Sequence, residues 1–186
     1  MQSKQEESLK AKIIGGGLVY RVPFDFYAAL FFWLAFWLIP AFFGTGFLPK
    51  LEFNAIVRVV FALLFAGGLL LSLLRRQQNI KLGGMNSKHQ TVTLMKGGIY
   101  GFVRHPSDFG SVLMAVGLPV ALSGIVAFTP LACIGMALLG AANYQASLRE
   151  EKLNLQKWGK DYADYMNEVP RWNILLGILR HYKKQG

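Results

Sequence analysis

The sequence predicts an all-α integral membrane bundle of about four transmembrane helices, followed by a C-terminal amphipathic cytoplasmic helical segment. Three observations predict it. Hydrophobic residues make up 53% of the 186 and charged residues 16%, against about 25% charged in soluble domains, too few to wet a globular surface. The apolar residues are gathered into long runs rather than spread at the periods of surface helices or strands. The lysines and arginines crowd alternate connections between those runs.

Residues 1–23 read as a cytoplasmic N-terminal arm, polar at first and then broken by Gly15-Gly16-Gly17. A transmembrane domain over 24–148 follows, with spans at about 26–43, 55–74, 109–126 and 127–147. Each run approaches the roughly 20 residues needed to cross a bilayer core of about 30 Å. Gly44, Gly46 and Pro49 turn the chain between the first two spans; Ser123-Gly124 and Thr129-Pro130 make a tight hairpin of the last two. Arg58, one turn inside its span, can snorkel to the interface. Trp33, Trp37, Tyr20, Tyr27 and Trp172 suit interfacial belts, although Trp33 and Trp37 can equally face lipid or neighbouring helices. The cytoplasmic loop is 75–106, and cytoplasmic or interfacial helices occupy 149–186. There Leu155, Trp158, Tyr162, Tyr165 and Val169 recur at spacings of three or four, with Gly159 weakening the centre and Pro170 ending the run. Such a segment can lie across the membrane face as a lid.

The net charge is +10, and its placement says more than its size. Cations flank the first run on its N-terminal side, fill the loop after the second and follow the fourth, whereas the loop after the first has only Lys50 and the loop after the third none. The positive-inside rule places both termini and the middle loop in the cytoplasm. Basic charges that flank apolar spans point to anionic membrane lipids and not to nucleic acid. The single Cys133 falls in the fourth run, so no disulfide forms within the chain.

The chemistry must then lie on the cytoplasmic side, in two blocks: the loop ending in Arg104-His105-Pro106, and the segment beginning Arg149-Glu150-Glu151. Arg104 and His105 are either an anchor and a solvated cap or donors to an anionic group such as a carboxylate. Glu150 and Glu151 are either a solvated pair, with Ser147 and Glu150 as a capping box, or the seat of a cationic amine. Asp108 is either a first-turn acid favoured by the helix dipole or a functional carboxylate, pairing with Arg104 or facing an acceptor channel. There is no zinc or haem motif, no P-loop, no dinucleotide fingerprint and no nucleophile triad, and no metal is expected.

Leu94 through Ser107, a hydrophobic hairpin, Glu150-Glu151, Trp158-Gly159-Lys160-Asp161-Tyr162-Ala163-Asp164-Tyr165 and Val169-Pro170-Arg171 occur in that order. Together they resemble the isoprenylcysteine carboxyl methyltransferase and phospholipid N-methyltransferase superfamily of integral membrane enzymes, over roughly residues 92–172. The resemblance implies S-adenosylmethionine at the cytoplasmic mouth and a lipid or other lipophilic acceptor entering from the membrane. It assigns the donor to the backbone around Thr93, Leu94 and Met95, and to Tyr100, His105, Pro106, Ser107 and Glu150. The donor's own groups agree: Arg104 and His105 suit its carboxylate, Glu150 its amine, and the Tyr100 face its sulfonium or adenine. Catalytic candidates are Asp108 and Glu151, as bases for a neutral amine acceptor, and Arg149, one turn from Ala146 where the family carries an acceptor-orienting arginine. Asp108 stands where the family has Tyr, and Val92 where it has His. The membrane sterol reductases, which use NADPH, share a similar Arg-His-Pro signature and are the alternative, as is a non-catalytic protein of the same fold.

The charge asymmetry makes a direct prediction. Single cysteines at positions 50 and 124 should react with an impermeant thiol reagent from outside, and cysteines at 88 and 183 only after permeabilisation. The reverse pattern would put both sequence blocks in the wrong compartment.

Overall fold

The computed structural model describes residues 24–43, 48–81 and 93–183; the N-terminal arm, Gly44, Gly46, Gly83-Gly84 and Val92 lie outside the described residues. The described residues are helical and include no strand. They form α1 (Phe24–Phe43), α2 (Ala55–Lys81), α3 (Pro106–Ala121), α4 (Pro130–Trp158), α5 (Lys160–Glu168) and α6 (Ile174–Lys183), with a 3-10 turn at Gly98–Gly101.

Two helices, α2 and α4, are long and apolar enough to cross a membrane. α3 has 16 residues, roughly 24 Å at 1.5 Å per residue, and α1 is apolar over the stretch Phe24–Pro40. The predicted spans therefore shift at their ends. α3 stops at Ala121 rather than 126 because turn bonds take over: the Ser123 N–H donates to the Val120 carbonyl (3.2 Å) and that of Ile125 to Leu122 (2.8 Å). α4 begins at Pro130, well suited to a first helical turn, and runs past 147 to Trp158. Charge at Arg149–Lys152 marks no helix end, since a helix needs no apolarity to continue. The break comes at Gly159, whose φ of 53° suits glycine alone. Ser147 and Glu150 accordingly lie inside a helix, and no capping box forms there.

The chain divides into two compact units that alternate along it: 24–73 with 105–147, and 74–81, 93–104 and 148–183.

The first unit is apolar. Its buried cluster joins Trp33 and Trp37 of α1, Ala115 and Val120 of α3, Phe128, and Ala132 and Leu139 of α4. The two tryptophans are thus core residues and not belt residues. Pro119 interrupts α3 and supplies no N–H to the carbonyl four residues back, at Ala115. The Trp33 indole N–H donates to that carbonyl at 3.0 Å, so α1 repairs the bond the proline removes. α2 and α3 meet through glycine: a side-chain carbon on Gly110 would stand 2.7 Å from the Gly68 carbonyl oxygen, and one on Gly68 would strike that of Gly110. Such contacts of small residues are how helices approach closely in lipid. The outer face of α2 exposes Ile56, Val59, Val60, Leu63 and Leu70, a surface fit for acyl chains. Arg58 reaches Gly124 in the α3–α4 turn, and the Leu51 N–H donates to the Phe128 carbonyl (2.8 Å), tying the α1–α2 and α3–α4 connections at one end.

The second unit is polar and small. Its buried cluster is Tyr162, Tyr165 and Val169, with Leu94, Trp158 and Met166 packed against it. That is the apolar stripe expected over 155–169, less Leu155, which is exposed.

The glycine contact sets a stability test. Gly68→Ala should cost about 1–3 kcal/mol, the usual penalty of overpacking, read by chemical unfolding in detergent. Gly140→Ala, where an added carbon meets nothing within 4 Å, should be neutral or add up to about 1 kcal/mol from helix propensity.

Candidate functional site

In the polar unit the loop before Arg104 is anchored at several points. Gly98 adopts φ 59°, and a side-chain carbon there would collide with the Gln78 side chain. Gln78, near the end of α2, accepts from the Ile99 N–H at 3.2 Å. The Tyr165 hydroxyl donates to the Tyr100 carbonyl at 2.7 Å, and the Arg104 N–H donates to the Pro170 carbonyl at 3.0 Å. The loop is thus clamped to both ends of the segment 165–170.

These bonds deliver Arg104 to Glu151. The Glu151 carboxylate, 3% exposed, takes Arg104 Nη2 on Oε1 at 3.1 Å. Arg171 binds the same carboxylate through both oxygens, Nε to Oε1 at 2.9 Å and Nη2 to Oε2 at 2.6 Å. A carboxylate gripped by two guanidiniums is an ion-pair anchor, and its oxygens are committed. Arg104 is different: its side chain is 7% exposed, and its Nε and Nη1 are buried without a hydrogen-bond partner. A buried donor left unsatisfied costs about 1–3 kcal/mol, so this guanidinium suits an additional anionic acceptor.

The surroundings are aromatic and acidic. Tyr100 is half-buried, its hydroxyl 3.5 Å from Asn79 Oδ1; burial raises its pKa above 10.0, while the nearby Arg75 charge opposes the rise. Tyr162 is 2% exposed, and burial, with smaller contributions from Glu150 and Glu151, pushes its hydroxyl up to about 12. Burial raises Tyr165 further still. Glu150 and Arg149 are half-buried on α4; Leu94 packs on the tyrosine cluster, Met95 is half-buried and Thr93 exposed.

The apolar unit holds the rest of the motif. Pro106 starts α3 behind His105, which occupies the N-cap position without a side-chain capping bond. His105 is 4% exposed, and its Nδ1 lies 3.8 Å from Asp108 Oδ2. Asp108 accepts a 2.6 Å hydrogen bond on that same oxygen from the Ser147 hydroxyl. Arg104 bonds Glu151 within the polar unit, and Asp108 is tied to α4 through Ser147 within the apolar one. Ser107 is half-buried, and Ala146 is 7% exposed in α4.

Sequence reasoning gave no separate role to Arg171 and read Ser147 as half of a capping box, not as the partner of Asp108. Arg171 carries a signal only within Val169-Pro170-Arg171, and Ser147 lies 39 residues from its partner, beyond any local periodicity.

A segment of 86 residues is 30% identical to the protein-S-isoprenylcysteine O-methyltransferase of Xenopus laevis. It covers 46% of this chain and 28% of the relative, so the likeness spans less than a third of that protein's length. No family model matches the chain, and no solved structure matches it.

The buried tyrosines predict alkaline sensitivity. A phenol whose folded pKa exceeds its unfolded value stabilises the fold below the unfolded pKa and loses that contribution as pH rises through the folded one. For Tyr162 the contribution is about 2–3 kcal/mol, present below pH 10 and lost toward pH 12. Tyr162→Phe should move the alkaline unfolding midpoint upward, followed by helicity together with phenolate absorbance.

Proposed function

We propose that this chain is an integral membrane methyltransferase that uses S-adenosylmethionine to methylate a lipophilic acceptor at the cytoplasmic face. The observation that carries the reading is Arg104, a buried guanidinium with one donor on Glu151 and two without a partner. Its Nε and Nη1 lie on different edges of the guanidinium, and each can give one charge-assisted hydrogen bond to an anionic acceptor such as the carboxylate of the methionine moiety. Glu150 supplies a carboxylate for the amine, and Tyr100 an aromatic face for the sulfonium or adenine. The ordered motifs add Thr93, Leu94 and Met95 before this arginine and His105, Pro106 and Ser107 after it. The partial likeness to the Xenopus methyltransferase supports the same chemistry. Four spans with both termini cytoplasmic belong to this proposal: α2 and α4 supply two, and the shorter α1 and α3 the others.

The donor, when bound, supplies an already activated methyl group on a thioether leaving group. The chain's residues need only hold it, align the acceptor with the sulfur–methyl axis and exclude water. Glu151 is committed to Arg104 and Arg171, which leaves Asp108 as the carboxylate for any proton an acceptor must lose. An acceptor that is itself a carboxylate loses none.

Isothermal titration in detergent with S-adenosylmethionine, S-adenosylhomocysteine and NADPH tests the reading. Both sulfur compounds should bind, and NADPH should not; binding of NADPH alone would turn the reading to a lipid reductase, and binding of none to a non-catalytic protein. Glu150→Ala should weaken the donor by about 1.5–3 kcal/mol, the range for a hydrogen bond to a charged group. His105→Ala should act in the same direction.

A further inference from the structure

The C-terminal helix α6 takes no part in the proposed donor site, yet its faces are sharply sorted. Gly177 is buried, and a side-chain carbon there would collide with the Phe102 carbonyl. One turn on, the His181 ring lies 4.7 Å from that of Phe102. These contacts fix the helix's rotation. The opposite face then exposes Leu175 (71%), Leu179 (68%) and Tyr182 (68%), which fall within about 60° of one another at 3.6 residues per turn. Exposed Lys183 and Arg180 border the stripe along one side, and α6 contains no acid. An apolar stripe bordered along one side by cations fits a helix lying in a bilayer interface.

Beneath α6 is a cleft of about 320 Å³ lined by Lys96, Gly98, Phe102, Glu168, Arg180 and His181, among others. Lys96 and Arg180, with the ionisable His181, outweigh Glu168, and the glycines let the loop backbone approach. Arg180 also donates to the Asn167 carbonyl at 3.1 Å, so its guanidinium is held at the rim.

We infer that α6 is a lipid-surface helix: its Leu175–Leu179–Tyr182 stripe sits among acyl chains, and the Lys96–Arg180 cleft takes the phosphate of an anionic phospholipid headgroup. The occupant is lipid and not a soluble partner because an apolar stripe beside a row of cations matches an apolar layer bordered by anions. The inference rests on the reading that α2 spans the membrane, and the test separates the two.

The full chain, with Cys133→Ser, is labelled with a fluorophore at Leu179→Cys, or at Leu63→Cys on the exposed face of α2. It is placed in nanodiscs of phosphatidylcholine with increasing phosphatidylglycerol. Lipid-borne and water-soluble nitroxides then compete to quench each label. At Leu179 the lipid-borne quencher should dominate, and increasingly so with phosphatidylglycerol. Lys96→Gln and Lys183→Gln should each weaken the phosphatidylglycerol-driven partition of the label into lipid by roughly fivefold, the loss of one basic residue's attraction to an anionic surface. Dominance of the water-soluble quencher at Leu179 while Leu63 remains lipid-quenched overturns the inference and leaves the spanning helix intact. Shielding of Leu179 from both quenchers assigns the stripe to a protein and overturns it too. Inorganic phosphate reproducing the phosphatidylglycerol effect in phosphatidylcholine discs overturns the lipid headgroup. Aqueous quenching at Leu63 removes the spanning reading and this one with it.

Discussion

The polar unit depends on one buried carboxylate. Glu151 is 3% exposed, and an unpaired charge at that depth would be removed from water at a cost of several kcal/mol. Two arginines from different segments offset it, Arg104 from the loop before α3 and Arg171 from the turn after α5. Their convergence fixes where both segments run. The Arg104 N–H on the Pro170 carbonyl and the Tyr165 hydroxyl on the Tyr100 carbonyl then complete the clamp. A buried ion triad adds little net stability over an apolar replacement of equal shape. What it supplies is registry: the loop bearing Tyr100 and Arg104 has one position relative to Glu150 and Tyr162, all within the same unit.

The apolar unit meets a different constraint, that a buried main-chain polar group find its partner within the protein. Pro119 breaks that rule locally by leaving the Ala115 carbonyl without its helical donor, and the Trp33 indole restores it at 3.0 Å. A tryptophan in this setting is therefore a structural donor as well as a core side chain. The glycine contact between Gly68 and Gly110 serves the same end by another route, since close approach replaces the hydrophobic drive that lipid denies to helices.

The all-helical class and four of the helices were legible in the sequence because long apolar runs are a strong signal, and Gly159 announced the break that divides α4 from α5. Helix ends were not legible where polarity and helicity part company. Arg149-Glu150-Glu151-Lys152 ends an apolar run but not a helix, and Leu122–Val126 is apolar but turns. At the site, residue types were readable and partners were not. Arg104 and Glu151 stand out as charges beside membrane runs, but nothing local joins residue 104 to 151, or 151 to 171. Asp108 shows the same limit: its helix-end position is visible in the sequence, its bond to Ser147 on another helix is not.

Asp108 also bears on what the proposed enzyme can methylate. Its Oδ2 accepts the Ser147 hydroxyl at 2.6 Å and lies 3.8 Å from His105 Nδ1. A carboxylate held this way is positioned and partly desolvated, and a proton it accepts must compete with the hydroxyl's donation to the same oxygen. Abstracting a proton from a neutral amine therefore asks Asp108 to loosen a short hydrogen bond at the moment of transfer. A carboxylate or thiolate acceptor makes no such demand, because it attacks the methyl carbon as an anion and leaves no proton behind. Glu151 is committed to two guanidiniums and Asp108 to a serine, so each is held in place by its partners. That arrangement favours an acceptor already ionised when it arrives from the membrane.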